Sequence, residues 1–203
     1  MEICELKLKS KYNSNNFIAT TTDGEFLLHG DVIVKMSISK GECSDATFSN
    51  AVVESAYLIA MEVASTYLAN SIKTEKQVKD YLYKKGFKTK TISAVISKLK
   101  EYKILDDSLF VELYIRSNPN FSRAKLKQKL MQFGVKPKDM EDQLISVEDY
   151  ESCFVNANKF LKNKETDLKN KIKLTRRLQS QGFSWEEINR VLREFNWHEV
   201  EEN

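Results

Sequence analysis

Basic side chains are concentrated in three clusters in the middle and C-terminal parts of the chain. Residues 73–90 contain seven lysines, residues 123–138 contain five lysines and one arginine, and residues 159–177 contain eight basic residues. The stretch 123–138 has no acidic residue at all. Lysine and arginine at this density attract polyanions and bind phosphate groups. The chemistry that the sequence offers first is therefore the binding of a polyanion such as a nucleic acid.

A second explanation of these clusters stays open. Any helix that packs on a core needs a solvated face, and lysine is common on such faces. A face that serves solubility alone normally mixes charges of both signs, whereas 123–138 carries only positive ones. Three basic helices repeated at one period would instead form a discontinuous stripe suited to phosphates.

Residue types that catalyse reactions are sparse. The sequence has no GxxxxGK[ST], HExxH, GxSxG or GxGxxG motif. Its two histidines, His29 and His198, have no obvious partner for acid–base work. Acidic pairs such as Asp106-Asp107 stand near predicted helix starts, where carboxylates cap backbone amides. We therefore expect no enzymatic activity, no catalytic residue, no bound metal and no cofactor.

An internal repeat positions the basic clusters. Gly86, Gly134 and Gly182 are separated by 48 residues and again by 48, and the residues eight and four before each glycine are apolar in all three copies. Apolar residues four apart lie on one face of a helix, so a helix runs into each glycine. Glycine ends that helix because it readily adopts a positive φ. A second helix follows, and the remaining length supplies a leading helix.

The repeat predicts a mainly α protein built from three tandem three-helix repeats in an elongated, curved array. We place the repeats at 49–103, 104–148 and 149–203, the last with an acidic tail after His198. The leading helices are predicted at about 52–70, 106–116 and 149–163. Each basic cluster then falls on the second helix of its repeat.

The first 48 residues follow a different pattern, that of short strands. The β-rich runs are Ile3–Lys9, Phe17–Thr22, Glu25–Leu28 and Val32–Met36. Asp23-Gly24 is typical of a tight hairpin turn between two of them. We predict a small N-terminal antiparallel β-meander at 1–48. This segment has a net charge of −2, whereas residues 49–198 have a net charge of +8.

Composition indicates a soluble intracellular protein. A chain of 203 residues with 41% hydrophobic and 30% charged residues can bury a core without a disulfide or a metal. The three cysteines are far apart and form no CxxC pair, which argues against a zinc site or a secreted disulfide framework. No stretch approaches the ~20 apolar residues that span a bilayer. We predict a cytoplasmic monomer that makes no membrane contact.

Three segments in a fixed order resemble the signature of the RecX family. They are TEKQVKDYLYKKGF (Thr74–Phe87), ILDDSLF (Ile104–Phe110) and KLKQKLMQFGV (Lys125–Val135). In that family a basic first repeat of the form sEkEL…L…KGf leads through L…yLDDerfA into a second repeat that ends in L…kGi. The resemblance covers residues of about 56–195, and some members also have an N-terminal β segment.

The chain departs from the family pattern at two places. The arginine often found just before the first basic motif is replaced by Asn70-Ser71-Ile72. The glycine common near the start of the second basic helix is replaced by Asn120 or Phe121. These differences concern individual contacts rather than the order of the motifs.

The resemblance implies a regulator that binds along the groove of the RecA filament and modulates its recombinase, ATPase and coprotease activities, usually by inhibition. Its setting would be DNA repair, recombination and the SOS response, with the RecA filament and single-stranded or duplex DNA as partners. We expect Asp106 and Asp107 to cap the leading helix of the second repeat. The residues expected to contact the filament or DNA are Lys76, Lys79, Lys84, Lys85, Lys125, Lys127, Lys129, Lys171, Lys173, Arg176 and Arg177.

Two other functions remain open at this point. An independent nucleic-acid-binding helical module would bind duplex DNA selectively without RecA. A plain protein-interaction scaffold would be unaffected by reversing the charge of the basic helices.

Overall fold

The chain forms two compact units, each with its own helices. The computed structural model describes residues 1–9 and 15–198, so the predicted acidic tail after His198 lies outside the described residues. Unit 1 is Met1–Leu105 and unit 2 is Asp106–Asn203. The finer division at residues 48, 103 and 148 stays a prediction. The mainly helical fold with a small N-terminal antiparallel sheet is confirmed.

Unit 1 begins with a sheet that has four strands in the described part of the chain. These are β1 (Glu2–Leu8), β2 (Asn16–Thr21), β3 (Gly24–His29) and β4 (Gly41–Glu42), in the order β3-β2-β1-β4 with antiparallel neighbours. The hairpin turn predicted at Asp23-Gly24 is confirmed, because Gly24 takes φ +128° and pairs with Thr21.

The strand predicted over Val32–Met36 is wrong, since these residues belong largely to α1 (Gly30–Lys35). The β-branched run favours a strand by propensity, but the local capping favours a helix. The His29 ring accepts a hydrogen bond from the Asp31 N–H (3.2 Å), and Asp31 places a negative charge in the first turn.

The sheet is not a simple meander, because β4 lies at the edge of the sheet beside β1.

A long helix, α2 (Asp45–Ala69), serves two cores of unit 1. Its first turns place Phe48 and Ala51 in the core beneath the sheet, and its second half places Ala60 and Ala64 in the core of the first repeat. Between them the buried Ser55 hydroxyl accepts a hydrogen bond from the His29 N–H (2.9 Å). The helix begins earlier than the predicted residue 52 because its first turns are needed under the sheet.

Within the described residues α2 is also long and apolar enough to cross a membrane, with a mean hydropathy of 1.2. The sequence reasoning did not anticipate this. Two carboxylates interrupt the apolar run of α2. Glu54 lies 2.6 Å from the Lys35 ammonium, and Glu62 lies 3.0 Å from the His29 ring. Apolar side chains of α2 also pack into two cores of unit 1.

Three three-helix repeats follow the predicted pattern. The first combines α2 with α3 (Glu75–Lys84) and α4 (Thr89–Glu101). The second contains α5 (Asp107–Ser117), α6 (Arg123–Gln132), a 3-10 turn (Pro137–Asp139) and α7 (Glu141–Ile145). The third contains α8 (Asp149–Leu161), α9 (Leu168–Ser180) and α10 (Trp185–Leu192).

The middle helix of each repeat ends in the same way. Gly86, Gly134 and Gly182 have φ of +88°, +85° and +91°. The residue after each glycine donates its N–H to a carbonyl five residues earlier: Phe87 to Leu82, Val135 to Leu130 and Phe183 to Leu178. This is the Schellman arrangement, which satisfies carbonyls at the helix end and folds an apolar side chain back onto the core. The predicted glycine stops are confirmed.

The third helix of the second repeat is shorter than its counterparts. The sequence places a helix start at Lys136-Pro137, and the structure forms only the 3-10 turn there before α7. Met140 separates the two pieces with φ −127°, and its side chain is completely buried. Burying Met140 in the small core of this repeat takes precedence over a continuous helix.

Candidate functional site

The predicted binding residues all lie on or at the end of the middle helices. Lys76, Lys79 and Lys84 belong to α3, and Lys85 is its C-cap. Lys125, Lys127 and Lys129 belong to α6, and Lys171, Lys173, Arg176 and Arg177 belong to α9. The clusters lie only in part on the second helices, since Lys159 belongs to α8 and Lys162 and Lys164 to the loop before α9. The role of the basic residues in binding stays a prediction.

In the first repeat part of the positive charge is already matched. The Lys76 ammonium lies 2.6 Å from Asp80, and Lys79 hydrogen-bonds Glu75, which also accepts from Lys100 of α4 (2.7 Å). The hydrogen bonds from Lys100 and Lys79 lower the pKa of Glu75 from 4.5 to about 2. Glu75 therefore links α3 to α4, and Lys79 contributes to that link.

The basic helices of unit 2 carry unmatched charge. Neither α6 nor α9 contains an acidic residue. In the described part of the chain, Lys127, Lys129, Lys173 and Arg176 form no ion pair with a carboxylate. A positive field with no local partner attracts a polyanion more strongly than one already neutralised. This favours unit 2 as the stronger binding surface.

Two basic positions recur in the same register in the second and third repeats. Lys125 and Lys173 lie nine residues before the terminal glycine, and Lys129 and Arg177 lie five before it. Residues four apart share a helix face, so each repeat presents one basic pair on an equivalent face. We call these four residues the paired basic face.

The first repeat lacks this face. Its equivalent residues are Gln77 and Tyr81. The Gln77 side chain completes a capping box with Thr74, and Tyr81 stacks on Tyr67 with ring centroids 4.1 Å apart. Basic residues were expected to repeat with the 48-residue period in all three basic helices. They do so at these positions in α6 and α9 but not in α3.

The first turn of α6 is joined tightly to the last turn of α9. Ser122 caps α6 by accepting from the Lys125 N–H (3.1 Å), and its hydroxyl donates to the Gly182 carbonyl oxygen (2.6 Å). The Ser122 N–H donates to the Gln181 carbonyl oxygen (3.0 Å). A Cβ on Gly182 would stand 2.7 Å from both Ser122 Oγ and Lys125 Cβ. The absence of a side chain at Gly182 therefore leaves room for the side chains of Ser122 and Lys125.

A second set of contacts crosses the same boundary between repeats. The Arg123 N–H donates to Asp149 Oδ1 at the start of α8 (2.6 Å), and its guanidinium donates to the Val147 carbonyl oxygen (2.6 Å). Burial raises the pKa of the Asp149 carboxyl, and the Arg123 amide partly opposes that rise. Arg123 therefore holds the start of α6 against the start of α8 and the residues just before it. The glycine period identified the repeats, but nothing in the spacing pointed to Ser122 or Arg123 as the residues that join them.

The remaining residues that the sequence offered for chemistry have structural roles. Asp106 caps α5 by accepting from the Ser108 and Leu109 N–H groups (2.9 and 3.2 Å), as predicted, and Asp107 lies in the first turn. His29 caps α1. Among residues 1–9 and 15–198, no three His, Cys, Asp or Glu side chains are grouped closely enough to hold a metal ion.

Comparison with known proteins gives one consistent family. Residues 60–99 match the family described as "RecX, first three-helix domain". The chain is 30% identical over 201 residues to the "Regulatory protein RecX" of Clostridium acetobutylicum, an alignment that covers 94% of this chain and 93% of the relative. It is 38% identical over 147 residues to the protein of the same name in Clostridium tetani, covering 68% of each chain.

Solved structures show the same fold. A "Crystal structure of regulatory protein RecX" superposes with a TM-score of 0.65 at 16% identity, covering 96% of this chain and 99% of the other. RecX from Lactobacillus salivarius superposes with a TM-score of 0.58 at 23% identity, covering 68% of this chain and 96% of the other. At these identities the likeness concerns the fold alone.

Proposed function

The chain belongs to the RecX family, and from that premise we propose that it regulates a RecA recombinase by binding the filament that RecA forms on DNA. The observation that carries the proposal is the paired basic face of unit 2. Two equivalent basic pairs on successive repeats suit a target that is itself polyanionic and periodic. The proposed outcome of binding is inhibition of the recombinase, ATPase and coprotease activities of RecA.

The junction between the second and third repeats supports this proposal. A repetitive target rewards a binding surface whose parts are held at a fixed separation, because less conformational entropy is lost on binding. The Ser122–Gly182 hydrogen bond restricts how α6 moves against α9, and the Arg123–Asp149 hydrogen bond ties α6 to the start of α8. We further propose that the protein acts in the cytoplasm as a monomer, without catalysis, in DNA repair and the SOS response.

Binding to RecA filaments tests the proposal directly. Single-stranded DNA fixed to beads is coated with RecA and ATP, and the retained fraction of this protein is measured as its concentration rises. The basic-face variant carries Lys129→Glu and Lys173→Glu from the paired basic face, together with Lys127→Glu, an α6 lysine outside that face. Lys125 is left unchanged because its Cβ packs beside Gly182. We expect the basic-face variant to bind at least about tenfold more weakly than the wild type.

The matched control changes the same amount of charge elsewhere. Lys7, Lys9 and Lys40 are exposed lysines of the N-terminal segment, and Lys7→Glu, Lys9→Glu and Lys40→Glu together form the control variant. Retention of the control and loss of the basic-face variant supports the proposal. Equal losses in both variants would mean that only net charge matters, and no retention of the wild type would contradict the proposal.

The alternative, an independent nucleic-acid-binding module, draws on the same unmatched charge of α6 and α9. It predicts tight, sequence-selective binding to duplex DNA in the absence of RecA. Titration of labelled duplexes of different sequence with the wild-type protein separates the two functions. A selective duplex affinity that exceeds the filament affinity would favour the module.

A further inference from the structure

A concave cavity of about 360 Å³ lies at the end of α8 in the third repeat. Its lining residues come from three segments: the last turns of α8, the loop that follows, and α9. They are Lys159, Phe160, Lys162, Asn163, Lys164 and Arg177. Four of these six side chains are cationic and none is acidic. Apart from Arg177, these residues lie outside the paired basic face.

The aromatic ring of the cavity holds one of the cations in place. The Lys164 ammonium lies 3.4 Å from the centroid of the Phe160 ring, which is a close cation–π contact. Phe160 in turn packs against the core of the third repeat. The position of the Lys164 charge is therefore set by a ring that the core immobilises.

Helix-end electrostatics account for only part of this charge. The C-terminal end of a helix carries about half a negative charge, which one nearby lysine offsets. Lys159 lies in the last turn of α8 and Arg177 in the last turn of α9, so two helix ends together supply about one negative charge. Four cations are more than this one negative charge can offset, and bringing them together costs energy through mutual repulsion. An anionic ligand would remove the repulsion.

We propose that this cavity binds a phosphodiester group of a single-stranded nucleic-acid backbone. Arg177 offers the planar fork of donors that suits phosphate oxygens, and the Asn163 amide adds a neutral donor. The volume falls in the range of small-ligand sites, so it admits one sugar-phosphate unit rather than the face of a duplex. The proposal rests on the proposed function, and it specifies where the DNA strand is held.

The charge carried by Arg177 connects the cavity to the rest of the surface. Arg177 belongs both to the paired basic face and to the cavity lining. A strand bound in the cavity would thus continue onto α9 without crossing an acidic residue of that helix. This continuity favours an extended polyanion over an isolated small anion.

The test is the salt dependence of oligonucleotide binding by the full chain without RecA. The affinity for a fluorescent thymidine oligonucleotide is measured between about 50 and 200 mM salt, where each phosphate contact of a single strand contributes about 0.7 to the slope of log K against log salt. The cavity variant is Lys159→Gln with Lys162→Gln. We expect its slope to fall by about 0.7 relative to the wild type, because the cavity holds one phosphate.

Lys9→Gln with Lys40→Gln is the matched control. These exposed lysines belong to the N-terminal segment and line no part of the cavity, and the change in net charge is the same. A control slope that stays at the wild-type value supports the site. Equal slopes for the cavity variant and the control would overturn it. Displacement of the oligonucleotide by poly-aspartate as efficiently as by polyphosphate would also overturn it, because the cavity would then bind carboxylates.

The two proposals fail separately. If the wild type binds RecA filaments but both lysine pairs give the same slope, the cavity proposal fails and the proposed function stands. If the wild type does not bind RecA filaments, and only the cavity variant shows a smaller slope of log K against log salt, the proposed function fails and the cavity proposal stands.

Discussion

The Ser122 hydroxyl donates a hydrogen bond of 2.6 Å to the carbonyl oxygen of Gly182, 60 residues further along the chain. This bond joins the cap of one basic helix to the glycine that ends the next. The glycine that ends α9 thus also leaves room for the first turn of α6, which carries part of the paired basic face.

Replacing Gly182 with alanine should destabilise unit 2 by about 2–4 kcal/mol. About 1 kcal/mol or more comes from a positive φ, and the rest comes from the overlap of the new Cβ with Ser122 and Lys125. Trp185 and Trp197 both lie in unit 2, so their fluorescence during urea unfolding measures this change.

Gly86→Ala is the matched control for Gly182→Ala. Gly86 has nearly the same φ, but a Cβ there meets no atom within 4 Å. We expect a loss of only about 1 kcal/mol, measured by circular dichroism because unit 1 contains no tryptophan. Equal losses at the two glycines would show that the close approach of Gly182 to α6 contributes nothing.

Glu75 should stabilise unit 1 at neutral pH and lose that effect in acid. Its pKa in the folded state is about 2, below the ordinary value of 4.5, because Lys100 and Lys79 donate hydrogen bonds to it. A carboxyl whose pKa is lowered by folding stabilises the fold above its unfolded pKa. That stabilisation disappears as the pH falls from about 4.5 towards about 2.

The Glu75→Gln variant measures this contribution. It should lose about 1 kcal/mol of unfolding free energy near neutral pH, and the difference from the wild type should shrink in urea titrations at about pH 3. Glu112→Gln removes an exposed carboxylate that lies 3.6 Å from Arg116, and it should cost less than about 0.5 kcal/mol. A Glu75→Gln deficit that is the same at both pH values would contradict the ion-pair explanation.

Cys153 should be inert in the folded protein. Burial, together with the nearby negative charges of Glu187 and Asp149, raises the pKa of its thiol to about 12. Since the thiolate is the reactive form, a variant with Cys153 as its only cysteine should react with a disulfide reagent only as fast as unit 2 opens. A variant that retains only the exposed Cys4 is the comparison. Similar rates for the two variants would refute the assigned burial.

The sequence was sufficient to predict the repeats because one physical requirement recurs in each. A glycine with positive φ and apolar residues on one helix face are both visible as spacing, and residues such as Val78, Leu126 and Leu174 are buried as that spacing requires. The resemblance to RecX, made on residues 74–135, agrees with the comparisons.

The elements that the sequence did not predict depend on contacts between distant segments. Val32–Met36 has the composition of a strand, and its helix depends on the His29 cap and on burial of Val32 beneath the sheet. The junction of Ser122 with Gly182 and the cavity at Arg177 likewise combine residues from different helices. No local pattern records such pairs, because each partner looks ordinary in its own segment.

The most direct test of the account is ATP hydrolysis by RecA on single-stranded DNA while this protein is titrated in. The comparison uses the wild type, the basic-face variant and its charge-matched control. We predict that the wild type and the control suppress hydrolysis at substoichiometric amounts and that the basic-face variant does not. Undiminished hydrolysis across the wild-type titration, or equal suppression by the basic-face variant, would contradict the claim that this protein regulates the filament through the basic helices of unit 2.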